Sequence, residues 1–209
     1  CEYTGGGFGS KGGGAVSMAI PALLSKKANA PVMMRISREE ESYIGRARTN
    51  MVGRLKAGFA KDGRILALDF YIIQDSGPYG PMGDHRSAGN AASLIYQPAA
   101  MRWRAVNVIT NTPPRTQQRS PGPMQANGIC EGVITKAAKQ LGIDQVAMRR
   151  MNSPEGKALY GPPDAKGERR HITGAFVKDA LDRGVEQFRW HERVARSGQR
   201  RGSKVTGVG

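Results

Sequence analysis

The sequence predicts an α+β fold, and three observations carry that expectation. Two alternating apolar runs, "RLKAGF" and "ILALDFYII", flank "AKDGR" and read as a β-hairpin. Apolar residues at three- and four-residue spacing recur elsewhere, most plainly from Cys130 to Leu141. Strands and helices also follow one another without strict strand-helix-strand alternation, which is the α+β pattern. With 209 residues, 39% of them apolar, the chain can build one core or two small lobes.

The elements follow in order. The chain opens on "CEYTGGGFGSKGGG", and Val16, Ala19, Ile20, Leu23 and Leu24 then fall at helical spacing. A helix packed on a core is expected over 15–27, with Pro21 as its irregularity and Lys26 and Lys27 suited to the negative end of its dipole. "PVMMRIS" reads as a short buried strand. Ser37 before "REEE" reads as an N-cap with acids in the first turn, so a short helix starts there. In the hairpin, Leu55, Ala57 and Phe59 alternate, Asp62-Gly63 turns the chain, and Leu66, Leu68, Phe70 and Ile72 alternate back.

"DSGPYGPMGD" is too rich in Gly and Pro for either period and reads as an irregular loop. "MRWRAVNVITNTP" returns as a strand and stops at Pro113 and Pro114. Cys130, Val133, Ile134, Ala137, Ala138 and Leu141 define an amphipathic helix closed by Gly142. Asp144 reads as the cap of a short helix through Arg150, and "NSPEGKALYGPPDAKGE" as a long irregular connection. A last helix is expected from Thr173, burying Phe176, Val177, Ala180, Leu181 and Phe188.

Composition narrows the function classes. The formal charge is +15, but the basic residues are spread along the chain and thicken only in "RWHERVARSGQRRGSK". No aromatic-rich RNA motif or DNA-reading helix accompanies them, so nucleic acid is not the expected partner. A basic nucleic-acid or anionic-surface binding module without catalysis stays as the alternative. The longest apolar run, "AVSMAIPALL", contains Pro21 and falls short of the roughly 20 residues that cross a bilayer. Cys1, Cys130 and three scattered histidines form neither a disulfide framework nor a zinc spacing, so no metal ligand is expected among the side chains. Beginning at Cys1, the chain reads as a piece of a longer protein.

Gly7-Phe8-Gly9-Ser10-Lys11-Gly12 satisfies the GxGxxG pattern. The dinucleotide fingerprint also needs a preceding hydrophobic strand and an acid about 20 residues later, and here no acid follows until Glu39. The Gly-Lys-Ser/Thr of a nucleoside-triphosphate loop is absent. What remains is physical: glycines permit positive φ and close approach of a ligand to the main chain, and a following helix aims its first amides at an anion. A tight helix entry with no ligand is the other reading.

The second segment, "TNTPPRTQQRSPG" over 110–122, bears on that choice. With Gly5 to Lys11 ahead of it and Arg119-Ser120-Pro121-Gly122 inside it, the chain resembles the molybdenum-binding large subunit of the xanthine dehydrogenase and aldehyde oxidoreductase family, the molybdenum hydroxylases. The resemblance continues through "CEGVITKAAKQLGIDQVAMRRMN", where Glu131, Leu141, Gly142, Asp144, Arg149 and Asn152 fall at the family's positions. "VKDALDRGVEQFRW" and "SGQRRGSKVTGVG" are similar to the family's approach to its second large domain. Residues 1–188 are therefore expected to be part of the first cofactor-binding domain, and 189–209 a basic connection into the second.

The resemblance implies cofactor-binding roles for Gly6, Gly7, Phe8, Gly9, Arg119 and Gln125. Bare amides suit an oxo ligand because they donate without competing as metal ligands. A guanidinium stays cationic and offers paired donors to phosphate or pterin oxygens, and Gln125 would support the turn. Phe8, Gly12 and Pro121 would line the substrate pocket. Purine-hydroxylating members carry a glutamate and an aromatic residue where this chain has Gly12 and Pro121, so an aldehyde or an N-heterocycle is the implied substrate. Arg86 lies near a second substrate arginine of those members and is left unassigned.

The implied reaction is hydroxylation with water-derived oxygen at molybdenum–molybdopterin cytosine dinucleotide. The family's general-base glutamate falls outside these residues, so no catalytic residue is expected here, and Glu131 is expected to be structural. The implied partners are the remainder of the large subunit, a small subunit with [2Fe–2S] clusters, and a flavin (FAD) subunit or haem cytochrome as acceptor. The chain itself has no cysteine set for clusters. A cytoplasmic location is favoured over a periplasmic one.

Overall fold

The computed structural model describes residues 5–9, 16–80 and 83–209. The first elements are helices α1 (Val16–Ala28) and α2 (Arg38–Ile44), then strands β1 (Ala47–Arg48), β2 (Asn50–Phe59) and β3 (Ile65–Gly77). Helix α3 (Asp84–Ile95), strands β4 (Ala100–Ile109) and β5 (Arg115–Thr116), and helices α4 (Pro123–Leu141) and α5 (Gln145–Asn152) follow. Strands β6 (Glu155–Tyr160) and β7 (Arg170–Phe176), helices α6 (Val177–Phe188) and α7 (Trp190–Val194), and strands β8 (Arg200–Arg201) and β9 (Lys204–Val205) complete the order. This is the α+β mixture the sequence predicts.

Strands β2, β3 and β4 form one sheet in that order, and β6 pairs antiparallel with β7. The two-residue strands β1 and β5 pair in parallel, Ala47 opposite Arg115 and Arg48 opposite Thr116. The chain divides into two units. One holds Cys1–Arg54, Phe70–Gly89 and Trp103–Asn127; the other holds Leu55–Asp69, Asn90–Arg102 and Gly128–Gly209. The long strands and α3 and α4 supply residues to both.

In the first unit, β3 buries Phe70 and Ile72 and then, at the same period of two, Gln74 and Ser76. That inner face turns from apolar to polar as the strand advances. Buried polar groups cost stability unless they are bonded, so this end of the strand is built for more than packing. Gln74 Oε1 accepts from the His85 amide at 2.7 Å, at the start of α3.

In the second unit, Cys130, Ile134 and Ala138 from α4 lie buried with Met148 from α5. Glu131 accepts from Tyr96 Oη at 2.6 Å and from Arg149 Nε at 2.9 Å, the structural role the sequence assigns it. Asn152 closes the hairpin turn: Oδ1 accepts from the Ile65 amide at 2.9 Å and Nδ2 donates to the Gly63 carbonyl at 3.0 Å. Burial pushes the Cys130 thiol up to about 12, so this cysteine is an inert packing residue.

Several expectations hold closely. Ser37 and Glu40 form a capping box on α2, the Asp62-Gly63 turn has Gly63 at φ +95°, and Asp144 caps α5 through the Val146 and Ala147 amides. Others are corrected. The expected strand over 31–37 is absent, with Met33 91% exposed; an apolar run becomes a strand only where a neighbour completes its ladder. Helix α1 forms, but Met18, Ile20, Leu23 and Leu24 are exposed rather than packed. Periodicity reports which residues share a face, not what covers it.

The connection over 152–168 is not wholly irregular, since it contains β6, whose partner β7 occupies the residues around Thr173. The last helix accordingly starts at Val177, with Leu181 half-buried and Phe176, Val177, Ala180 and Phe188 exposed. Helix α3 had no expectation, and α4 begins at Pro123 rather than near Cys130. Proline suits a first helical position because its missing N–H would be unsatisfied there anyway.

Candidate functional site

The glycine-rich loop and the arginine turn meet in the first unit. Across Gly5–Gly9 the chain bends through φ +110° at Gly6, +48° at Phe8 and +71° at Gly9. A Cβ built on Gly9 would run into the Gln117 carbonyl and lie 2.6 Å from Thr116 Oγ1. Only a residue without a side chain lets the first loop lie against the second there. At Gly5 and Gly7, both exposed, a Cβ would meet nothing within 4 Å among the described residues, so no close packing there requires glycine. Phe8 is 63% exposed, its ring folded back near Gly6.

The second loop leaves β5 and turns through Arg119 and Ser120, both exposed, and half-buried Pro121. Gly122 at φ +96° presses against α3, where a Cβ would strike the Asp84 carbonyl and lie 2.8 Å from the Ala88 nitrogen. Gln125 Oε1 accepts from the Gly122 amide at 3.1 Å, and its Nε2 donates to the Thr49 carbonyl at 2.8 Å. Both ends of that amide therefore brace the turn. Gly12 lies outside the described residues, and Arg86 is exposed on α3.

Below the turn, Asp75 anchors β5. Arg115 Nη2 donates to its carboxylate in a short ion pair, joined by the Thr110 hydroxyl at 2.6 Å, the Thr112 hydroxyl at 3.0 Å and the Gly77 amide at 3.0 Å. Burial raises this carboxyl's pKa, but Arg115, Thr110, Gly77 and Thr112 together outweigh it and hold it well below the usual carboxylate range. The anchor is a fixed anion that keeps the arginine strand in place.

Sequence reasoning missed Arg48, Thr49, Asp75, Asp84 and Arg115. Arg48 Nη2 donates to the Arg119 carbonyl at 2.9 Å, and Thr49 Oγ1 donates to buried Asp84 at 2.6 Å. Among the described residues, Arg48 Nη1, Arg115 Nε and Asp84 Oδ1 are buried without a hydrogen-bond partner. The one available signal was the density of Thr and Arg in "TNTPPR", whose acceptor Asp75 is 40 residues from Arg115 in sequence.

Among the described residues, no helix is long and apolar enough to cross a membrane. The molybdopterin cofactor-binding domain family matches residues 1–153. The putative xanthine dehydrogenase molybdenum-binding subunit of Escherichia coli K12 is 29% identical over 99% of this chain and 27% of its own length. The nicotinate dehydrogenase large molybdopterin subunit of Eubacterium barkeri is 35% identical over 72% of this chain and 36% of its own length. The aldehyde oxidoreductase of Desulfovibrio desulfuricans shares the fold, with a TM-score of 0.77 at 21% identity over 94% of this chain and 21% of its own.

The chain thus spans little more than a quarter of the xanthine dehydrogenase relative. The charge-driven nucleic-acid alternative finds no support among these relatives. With its glycine loop seated on its arginine turn, the chain belongs to the molybdopterin cofactor-binding domain family of the xanthine dehydrogenase and aldehyde oxidase molybdenum-binding subunits.

Proposed function

We propose that this chain is the cofactor-holding part of a molybdenum-dependent oxidoreductase that hydroxylates an aldehyde or an N-heterocycle with oxygen from water. The observation that carries the reading is the contact of Gly9 with the main chain of Gln117, which makes two distant loops into one surface. The residues present fit the group. Open main chain at Gly5 and Gly7 offers amide donors, and Arg119 offers a guanidinium at the exposed turn.

Gly6, Gly7, Phe8, Gly9 and Arg119 would hold the cofactor, and Gln125 would act through the turn it braces. Phe8 and Pro121, with Gly12, would form the pocket wall. When bound, the cofactor supplies the oxidation, and this chain's residues orient it. The nicotinate dehydrogenase relative supports an N-heterocyclic substrate. The cytosine dinucleotide form, an iron–sulfur small subunit, a flavin or haem partner, and residues 189–209 as a connection to a further cofactor-binding domain belong to the same proposal.

The test is elemental analysis of the full-length protein, purified with its partner subunits from a host that makes the cofactor. Stoichiometric molybdenum with a pterin is the expected result. Protein free of both overturns the reading.

A further inference from the structure

Arg48 and Thr49 grip the arginine turn at both of its ends. Arg48 Nη2 donates to the Arg119 carbonyl at 2.9 Å across 71 residues of sequence, and the Arg48 carbonyl accepts from Arg115 Nη1 at 3.3 Å. At the far end, the Thr49 carbonyl accepts from Gln125, whose other end takes the Gly122 amide. The Thr49 hydroxyl ties this pair to buried Asp84. The parallel pairing of β1 with β5 fixes the register from which Arg48 reaches over.

A trans peptide is a rigid plane with its C=O and N–H on opposite sides. Holding the Arg119 carbonyl therefore also fixes the direction of the Ser120 N–H. Ser120 itself sits at φ +58°, a left-handed conformation that a non-glycine residue keeps only where its surroundings impose it. A guanidinium that served packing alone would have its buried donors satisfied, whereas Arg48 Nη1 is buried with no hydrogen-bond partner among the described residues.

We propose that Arg48 is a positioning residue for the cofactor turn: through the Arg119 carbonyl it sets the Arg119–Ser120 peptide in the orientation that the bound cofactor meets. The inference rests on the molybdenum reading above. Without Arg48, Ser120 relaxes toward ordinary φ and carries the Arg119 main chain with it. Lysine reaches the carbonyl with one ammonium but lacks the planar fork, so it substitutes only in part.

The experiment compares wild type, Arg48→Met and Arg48→Lys in the full-length enzyme with its partner subunits. Molybdenum content, thermal midpoint, turnover of an aldehyde or N-heterocycle per bound molybdenum, and the EPR signal of the dithionite-reduced enzyme are measured. The Met variant is expected to keep its molybdenum, lose about 10- to 100-fold in turnover per bound molybdenum, and show a shifted EPR signal. The Lys variant recovers part of the loss. Unchanged turnover per molybdenum with an unchanged EPR signal in the Met variant overturns the inference, even if molybdenum content and thermal midpoint fall together. Wild-type enzyme devoid of molybdenum overturns the functional reading itself, so the two failures are told apart.

Discussion

At Asp75, burial favours the neutral acid, while Arg115 and the hydroxyls and amide around it favour the carboxylate and win. The folded-state pKa thus lies below the unfolded value of about 3.9. Such a group adds stability that is complete above the unfolded pKa and is lost as pH falls through the folded one. We expect the thermal midpoint of the full subunit to decline as pH drops below about 4. Asp75→Asn should cost about 2 kcal/mol at neutral pH and flatten that acid-side decline. Melting curves with equal slopes for both proteins would count against the assignment. The glycine loop and the turn at Arg119 were legible as stretches of sequence, because clustered glycines and an Arg-Ser-Pro-Gly turn form local motifs. Asp75 and Arg48 were not, since a lone acid and a lone arginine take their meaning from partners far along the chain.

Elements with local signals were legible for the same reason. The hairpin, β4, α2 and α5 each carry an alternation, a turn or a cap within a few residues. Strands β1 and β5 are two residues each and exist only because they pair with one another, so no periodicity could reveal them. Helix α3 is "DHRSAGNAASLI", whose small and polar residues blur the apolar stripe. Cap chemistry gives the test at this scale. Asp144 accepts from the Val146 and Ala147 amides and from Trp190 Nε1 at 2.8 Å, so it fastens α7 as well as α5. Asp144→Ala should destabilise the subunit by about 1–2 kcal/mol, read as a lower denaturant midpoint. A change confined to a few tenths would mean that the cap is dispensable.

For the molecule as a whole, charge was the least informative property and exposure the most. The +15 charge is spread along the sequence, whereas Met18, Leu23 and Leu24 on α1 lie exposed in a chain that spans 27% of its xanthine dehydrogenase relative. The parallel pairing of β1 with β5 has a consequence in time. Its bond from the Ala47 amide to the Pro114 carbonyl, at 2.8 Å, closes a loop that contains the whole of β2, β3 and β4. Distant pairings of so few residues return little for the chain entropy they remove, so they form after the strands between them. Pulse-labelling hydrogen exchange should show the amides of β2–β4 protected before that of Ala47. In a nascent subunit, the proposed seat for the cofactor would then be the last part of this region to set, and insertion would have an interval in which the walls can still part.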